Sequence, residues 1–317
     1  MATVEQAQGL SKDERWPAIA ADWTATRDTL QMWTQIVGKL KVALSPFQNQ
    51  LWHTALHPTG RGLTTQPIPY DDGVFETSFD FLDHNLVIVT SSGGRKVVPL
   101  YERTVASFYE EVMGCLASLG IDVRINTKPQ EVPNPIPFDQ DTTHGSYDAD
   151  AVNRFFRAMS ASASVMWKHK SRFTGKASPV HFFWGSFDLT TTRHSGERAA
   201  IPPGRDYIYR VAENEANWAA GFWPGSGPIE YAAYYAYVIP EPEALSRAMI
   251  EPVGAVWNAA MREFILPYEA VRSSADPEAS LMAFLESTYA RGAELGKWDR
   301  NRLEISEVPT PRHKVAA

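Results

Sequence analysis

Hydrophobic positions recur at helical spacing over residues 23–44 (WTATRDTLQMWTQIVGKLKVAL), where Leu30, Trp33, Ile36, Val37 and Leu40 form one stripe and Ser45-Pro46 ends it. The pattern predicts an amphipathic helix. The period then changes to two. Leu51 to His57 alternates, and GVFETSFDF, NLVIVTSS and RKVVPL read as strands, with turns at Gly60 to Gly62, Asp83-His84 and Ser92-Gly93-Gly94. A second helix runs from Val105 to Leu119 and stops at Gly120. The order is helix, about four antiparallel strands, helix.

That order repeats. AVNRFFRAMSASASVMWKHKSRF is predicted as a helix, KASPVHFFWGSFDLTTT and YAAYYAYVI as strands, and FILPYEAV leads into the helix PEASLMAFLESTYARGAEL. Local echoes point to internal duplication: GKLKVALSP with GKASP, GRGLTT with FDLTTT, and VPLYERTVASFYEEV with LPYEAVRSSADPEASLMAFLEST. Between the repeats lies KPQEVPNPIPFDQDTTHGSYDADA, with four prolines among residues 129–137, which fix φ and remove donors and so predict an extended strap. The expected fold class is α+β with two similar halves, 16–128 and 149–298, each an antiparallel sheet with flanking helices. Residues 129–148 form the Pro-rich connector, a cleft lies between the halves, and the tail 299–317 is an ordered strap that frays at its end.

Composition narrows the partners. The 317 residues carry a formal charge of −7, and no Lys/Arg block interleaves with aromatics, which argues against a nucleic-acid partner. No apolar run approaches the roughly 18 residues of a membrane span and the N-terminus lacks a leader pattern, so no membrane partner and a cytoplasmic location are expected. With 10 Trp, 15 Phe and 12 Tyr, aromatic-lined space is expected. The single cysteine, Cys115, excludes an intramolecular disulfide and a multi-Cys zinc site; its place on a helix stripe predicts a buried structural thiol. No GxSxG, Walker, GxGxxG or HExxH pattern occurs, so there is no nucleotide-binding motif. A divalent metal, haem or non-haem iron stays open, because single His ligands leave no pattern.

Candidate chemistry collects in two stretches. FDQDTTHGSYD supplies Asp139, Asp141, His144 and Asp148, fit to ligate a metal or to pair as acid and base. Alternatively Asp148 caps the next helix, and Asp141 and Ser146 serve local turns. In PVHFFWGSFDLTTTRHSG a regular strand sends Asp188 and Trp184 to one face and His181 to the other, unless Gly185 marks a bulge that brings His181 and Asp188 to one side. Seven extended residues cover about 23 Å, so the two share no metal unless the strand folds back. Each is better paired with His144 or Asp141. Arg193 suits a buried ion pair with Asp188 or an anion clamp. His194 is expected exposed and passive, His169 a cation at a helix end, and His84 a turn residue. His53 and His57 are expected on one strand face about 13 Å apart, with one of them lining a pocket. GFWPGSGP reads as a rigid loop offering Phe222 and Trp223 as a wall, and YAAYYAY places Tyr231, Tyr235 and Tyr237 on one face and Tyr234 on the other.

WTQIVGK, GLTTQPIPY, FDFLDH, PNPIPFDQDTTHGSYD, SPVHFFWGSFDLTTTR and GFWPGSGP together resemble a bacterial family known only as domain of unknown function 5996. The resemblance runs from about Trp16 to Trp298 and implies one family-length unit, not a fusion. It implies no reaction, cofactor or catalytic residue.

The function expected from the residues is a small-molecule enzyme with hydrolytic or lyase-type chemistry at an aromatic-walled cleft. His144 or His181 serves as general base or, with Asp141, as metal ligand; Asp141, Asp148 or Asp188 orients it. Arg193 anchors an anion, Trp184 and Trp223 stack, and Phe222, Tyr235 and His53 complete the substrate wall. The alternative is a non-catalytic small-ligand-binding protein, and a third reading is an oligomer-forming protein with aromatics at its interface. Convergence discriminates the first two: an enzyme brings a His within reach of a carboxylate inside the pocket, and a binder scatters them. Oligomeric state is not legible.

Overall fold

A short capped turn, α1 (Lys12–Arg15), leads into α2 (Thr24–Leu44), whose stripe of Leu30, Trp33, Ile36, Val37 and Leu40 is fully buried. The computed structural model describes residues 10–305. Six strands follow: β1 (His57–Pro58), β2 (Gly62–Thr64), β3 (Ile68–Tyr70), β4 (Gly73–Asp80), β5 (Asn85–Thr90) and β6 (Arg95–Pro99). They form an antiparallel sheet ordered β1-β2-β4-β5-β6, with β3 also paired to β4. Alternation puts Phe75, Phe79, Leu86, Ile88 and Val98 on its buried face. Helix α3 (Val105–Ser118) joins α2 on this core, with Trp33 stacked on Phe108 at 4.5 Å between ring centres.

The second half opens with α4 (Ala149–Lys170), capped by Asp148, whose Oδ1 accepts from the Ala151 N–H at 3.0 Å. Its sheet comprises β7 (His181–Phe183), β8 (Asp188–Arg198), β9 (Glu215–Trp223), β10 (Ala233–Ile239), β11 (Val256–Asn258) and β12 (Glu263–Pro267), with α5 (Tyr207–Ala212) between β8 and β9. The order is β11-β12-β10-β9-β8-β7, antiparallel throughout. α6 (Tyr268–Arg272), α7 (Pro277–Leu295) and α8 (Arg300–Leu303) close the chain. One sheet face, carrying Leu189, Trp218, Phe222, Tyr234 and Leu266, is sealed by α4 and α7. The α+β class with two similar halves therefore holds. Both halves end alike, β6 running into α3 and β12 into α6 and α7.

Several elements differ from the sequence expectation. Residues 49–54 are 3₁₀ turns, not strand, with Gln50 and Leu51 at φ of 51° and 59°. Residues 181–198 are a hairpin, not one strand: the chain reverses around Gly185, with Phe187 at φ 60°, and pairs Phe183 with Asp188 and His181 with Thr190. Strand β9 was not anticipated, because its small residues Ala219, Ala220 and Gly221 blunt the alternation; GFWPGSGP starts inside it. Of the tail, residues 299–305 contribute α8, and 306–317 lie outside the described residues.

The halves meet at the edge of the second sheet. Leu56 and Phe182 exchange backbone hydrogen bonds of 2.9 and 2.7 Å, which pairs the otherwise open edge of β7. Trp184 donates its indole N–H to the Thr54 carbonyl at 2.8 Å and lies against α2 at Gly38, where an added Cβ would sit 2.2 Å from the ring. The polar side chains of α2 at spacing i, i+4, i+8 bind the rest: Gln31 donates to the Gly185 carbonyl at 2.6 Å, Gln35 exchanges bonds with the Gln130 backbone at 2.9 Å each, and Lys39 donates to the Asn126 carbonyl at 2.8 Å. Among the described residues no helix is long and apolar enough to cross a membrane.

Gly38→Ala must push Trp184 off α2. Overpacking of this kind costs about 1–3 kcal/mol. Denaturant unfolding followed by tryptophan fluorescence checks this; an unchanged midpoint would show that the contact does not hold the halves.

Candidate functional site

The second face of the second sheet is polar and only partly covered. Thr190, Gly221 and Tyr235 form one cross-strand row, and Thr192, Ala219 and Tyr237 the next. Ala219 and Gly221 carry almost no side chain, so a cavity of about 710 Å³ opens above them. Its far wall comes from the N-terminal turns of α2 (Arg27, Asp28, Gln31), from Gln50 and Trp52, and from the connector (Glu131, Pro133, His144). Both halves and the connector thus build one site. Arg27 ties its rim together by donating to Asp28 at 2.9 and 2.7 Å and to the Gly225 carbonyl.

Asp188, at the start of β8, is the centre of the floor. Its carboxyl accepts from the Ser186 and Tyr235 hydroxyls. Tyr235 reaches it from β10 by crossing β9 over Gly221, where a Cβ would lie 2.4 Å from the tyrosine oxygen. Burial pushes the Asp188 carboxyl up against the pull of those two donors. Beyond Asp28, which pairs with Arg27, three more carboxyls share the cavity: Glu131, Glu213 and Glu263. Burial raises all three, and the Asp188 charge adds to the rise at Glu131 and at Glu263, which is pushed up to about 7. Gly185 allows this crowding, since a side chain there would stand 2.7 Å from the Glu131 carboxylate. Glu213 accepts from the Asn217 amide at 2.6 Å.

His144 lines the same cavity. Its Nδ1 is 2.7 Å from Asp141 Oδ2, and the other Asp141 oxygen accepts from the backbone N–H groups of Thr143 and His144 at 3.0 Å each. Asp141 is fully buried, so the loop is built around its carboxylate. A carboxylate only accepts, so in the neutral imidazole this contact places the proton on Nδ1 and the lone pair on Nε2.

The other predicted residues scatter. Trp223 and Tyr235 line the cavity, whereas Phe222 points to the opposite face and packs on Phe155, Tyr234 and Tyr268. Trp184 is a joint between the halves, not a stacking wall. Arg193 is no anion anchor and no partner of Asp188: it lies on the helix-covered face, 4.2 Å from the Tyr289 ring centre, and donates to the His169 carbonyl. Asp148 is spent on capping α4. His53 sits outside the cavity, with Nδ1 accepting from the Gln48 N–H at 3.2 Å and its ring beside Phe47. His181 shares the sheet face of Asp188 through the hairpin, but it is 0 % exposed, its nitrogens have no partner, and it lies against Phe183 and His57. It does not join His144 and Asp141. Among the described residues no group of three or more His, Cys, Asp or Glu converges as a metal set. His169 and His194 also depart from expectation, since both are buried, and His194 lines the cavity with burial pushing it down to about 4. Glu131, Glu213, Glu263, Asn217 and Trp52 were not anticipated; the polar alternation Glu213, Glu215, Asn217 into β9 was the one available signal.

The fold and site define a two-sheet α+β protein with an acidic, aromatic-walled cavity between its halves. The chain belongs to the family of unknown function DUF5996, whose model matches residues 16–305. No curated protein and no solved structure matches it.

Two titrations check this geometry. Glu263 is expected to titrate near pH 7 by carboxyl-carbon NMR, and Asp188→Asn to lower that midpoint; an unmoved midpoint would separate the two groups. Burial holds His181 near pKa 3, so the unfolded chain takes up its proton first as pH falls below about 6.5. The stability His181 contributes is complete above that pH and is lost toward pH 3. His181→Phe is therefore expected to gain on the parent by roughly 1.4 kcal/mol per pH unit in that window, measured by chemical unfolding at several pH values. A pH-independent difference contradicts the neutral buried imidazole.

Proposed function

We propose that the cavity is the active site of a small-molecule enzyme, with His144 as general base and Asp141 as the group that fixes its tautomer and direction. The observation that carries this reading is the pairing of His144 with a buried carboxylate at the wall of a cavity whose floor is Asp188. A base needs reach and the correct tautomer, and the Asp141 turn supports both by holding the His144 ring at the cavity wall. Asp188, with its raised carboxyl and the Tyr235 and Ser186 hydroxyls, supplies a proton donor or an oxygen nucleophile in the same cavity. Such a pair serves hydrolysis or elimination. The proposed setting is the bacterial cytoplasm, and the two halves are taken as a duplicated unit.

The second reading, a small-ligand-binding protein, is favoured by the scatter of the other histidines. Proton NMR of the purified chain with a mixture of small aryl esters, amides, amines and hydroxy acids separates the two. The enzyme is expected to broaden the signals of at least one compound and convert it. His144→Ala and Asp141→Asn should keep the broadening and lower conversion by about 100-fold or more. Broadening with no conversion by the parent protein would leave the binding reading in its place.

A further inference from the structure

The cavity has a charge imbalance that its own residues do not repair. Asp188, Glu131, Glu213 and Glu263 all line it, and among the described residues none of the four is ion-paired. The guanidinium at the rim, Arg27, is committed to Asp28 and Gly225. His194 is neutral at pH 7, held there by burial and by Lys176. Grouped acids of this kind are costly to bury in their charged form without a counter-charge.

A second observation is independent of the acids. Gln50 and Asn217, 4 % and 1 % exposed, line the cavity, and their amide nitrogens donate within the protein: Gln50 to Asn214 at 2.9 Å, and Asn217 to Glu213 at 2.6 Å and to the Glu215 carbonyl at 3.0 Å. Their carbonyl oxygens, Gln50 Oε1 and Asn217 Oδ1, have no partner. Buried acceptors without donors are rare, because each forfeits the hydrogen bond it makes to water in the unfolded chain. What is missing is therefore a donor, and these two oxygens ask for N–H groups just as the carboxylates ask for positive charge. Trp52, Trp223 and Tyr237 provide the aromatic surface on which a cationic head or an apolar body rests.

We infer that this site takes an organic cation, an amine or guanidine carried on a partly apolar body, whose N–H donors meet the Asp188 and Glu263 carboxylates and the Gln50 and Asn217 oxygens. The geometry favours an extended cation over a metal ion, since no three of the acids converge on one point. The inference rests on the cavity being the small-molecule site and deepens that reading by naming the substrate class. It also inverts the charge expected from Arg193, which lies on the other sheet face.

Calorimetric titration of the full chain at pH 8 tests it with four probes of similar size: tyramine, agmatine, the neutral tyrosol and the anionic 3-(4-hydroxyphenyl)propionate. At least one of the two amines is expected to bind ten-fold or more tighter than tyrosol, the gain of about one charge-assisted hydrogen bond, and the carboxylate not at all. Glu263→Gln, at a partly exposed strand start, and Asp188→Asn should each weaken the amine by roughly ten-fold, with circular dichroism confirming the fold. Tyrosol or the carboxylate binding as tightly as the amines, or neither amine binding, overturns the inference. Tyramine or agmatine bound but never converted keeps the cation and removes the enzyme reading. Conversion of the carboxylate, with no amine bound, keeps the enzyme and removes the cation.

Discussion

The site depends on how the first half is fastened to the open edge of the second sheet. β7 is three residues long and would present bare backbone groups, and Leu56 covers it with two hydrogen bonds. Trp184 then spans the joint, its ring on the bare backbone of Gly38 and its N–H on the Thr54 carbonyl. Only glycine permits that approach. With the joint closed, the N-terminal turns of α2 stand over the polar sheet face and a cavity results.

Helix α2 does a second thing. Its apolar stripe belongs to the first core, while Gln31, Gln35 and Lys39 are spent on backbone carbonyls of the hairpin turn, of the connector and of the segment just before it, respectively. A buried lysine and a buried glutamine are costly unless their donors are taken, and here each is. They anchor the connector where it enters the cavity wall at Glu131 and Pro133. The second sheet divides its labour by parity: odd positions of β8 face α4 and α7, and Asp188, Thr190, Thr192 and His194 face the cavity. That parity also separates Asp188 from Arg193, neighbours in sequence with opposite fates.

Periodicity made the helices, the first sheet and the two-half order legible, because long apolar stripes and clear alternation leave few alternatives. Asp141, His144, Asp188, Trp223 and Tyr235 were within reach from residue type and setting. Two physical features hid the rest. Gly185 with Phe187 at positive φ turned an apparent strand into a hairpin, which changed the face and the reach of every residue from His181 onward. Small residues in β9 removed the alternation that marks a strand, so Phe222 and Trp223 looked like loop and the acids flanking that strand were not placed in any site. The partners of the polar residues on the amphipathic α2 were not legible, since nothing in a linear pattern shows that a connector lies across it. Arg193 and Trp184 have the chemistry of site residues and are used for packing instead.

A crystal structure of the full chain grown near pH 8 tests the central claim, that joint and connector bring a His–carboxylate pair and an acidic floor to one enclosed cavity. It should show His144 paired to Asp141 and Asp188 paired to Tyr235 across a common space, with Trp184 seated on Gly38. Halves that part at Trp184, or a floor in which Asp188 is neutralised by an arginine or lysine of the chain, would contradict the account.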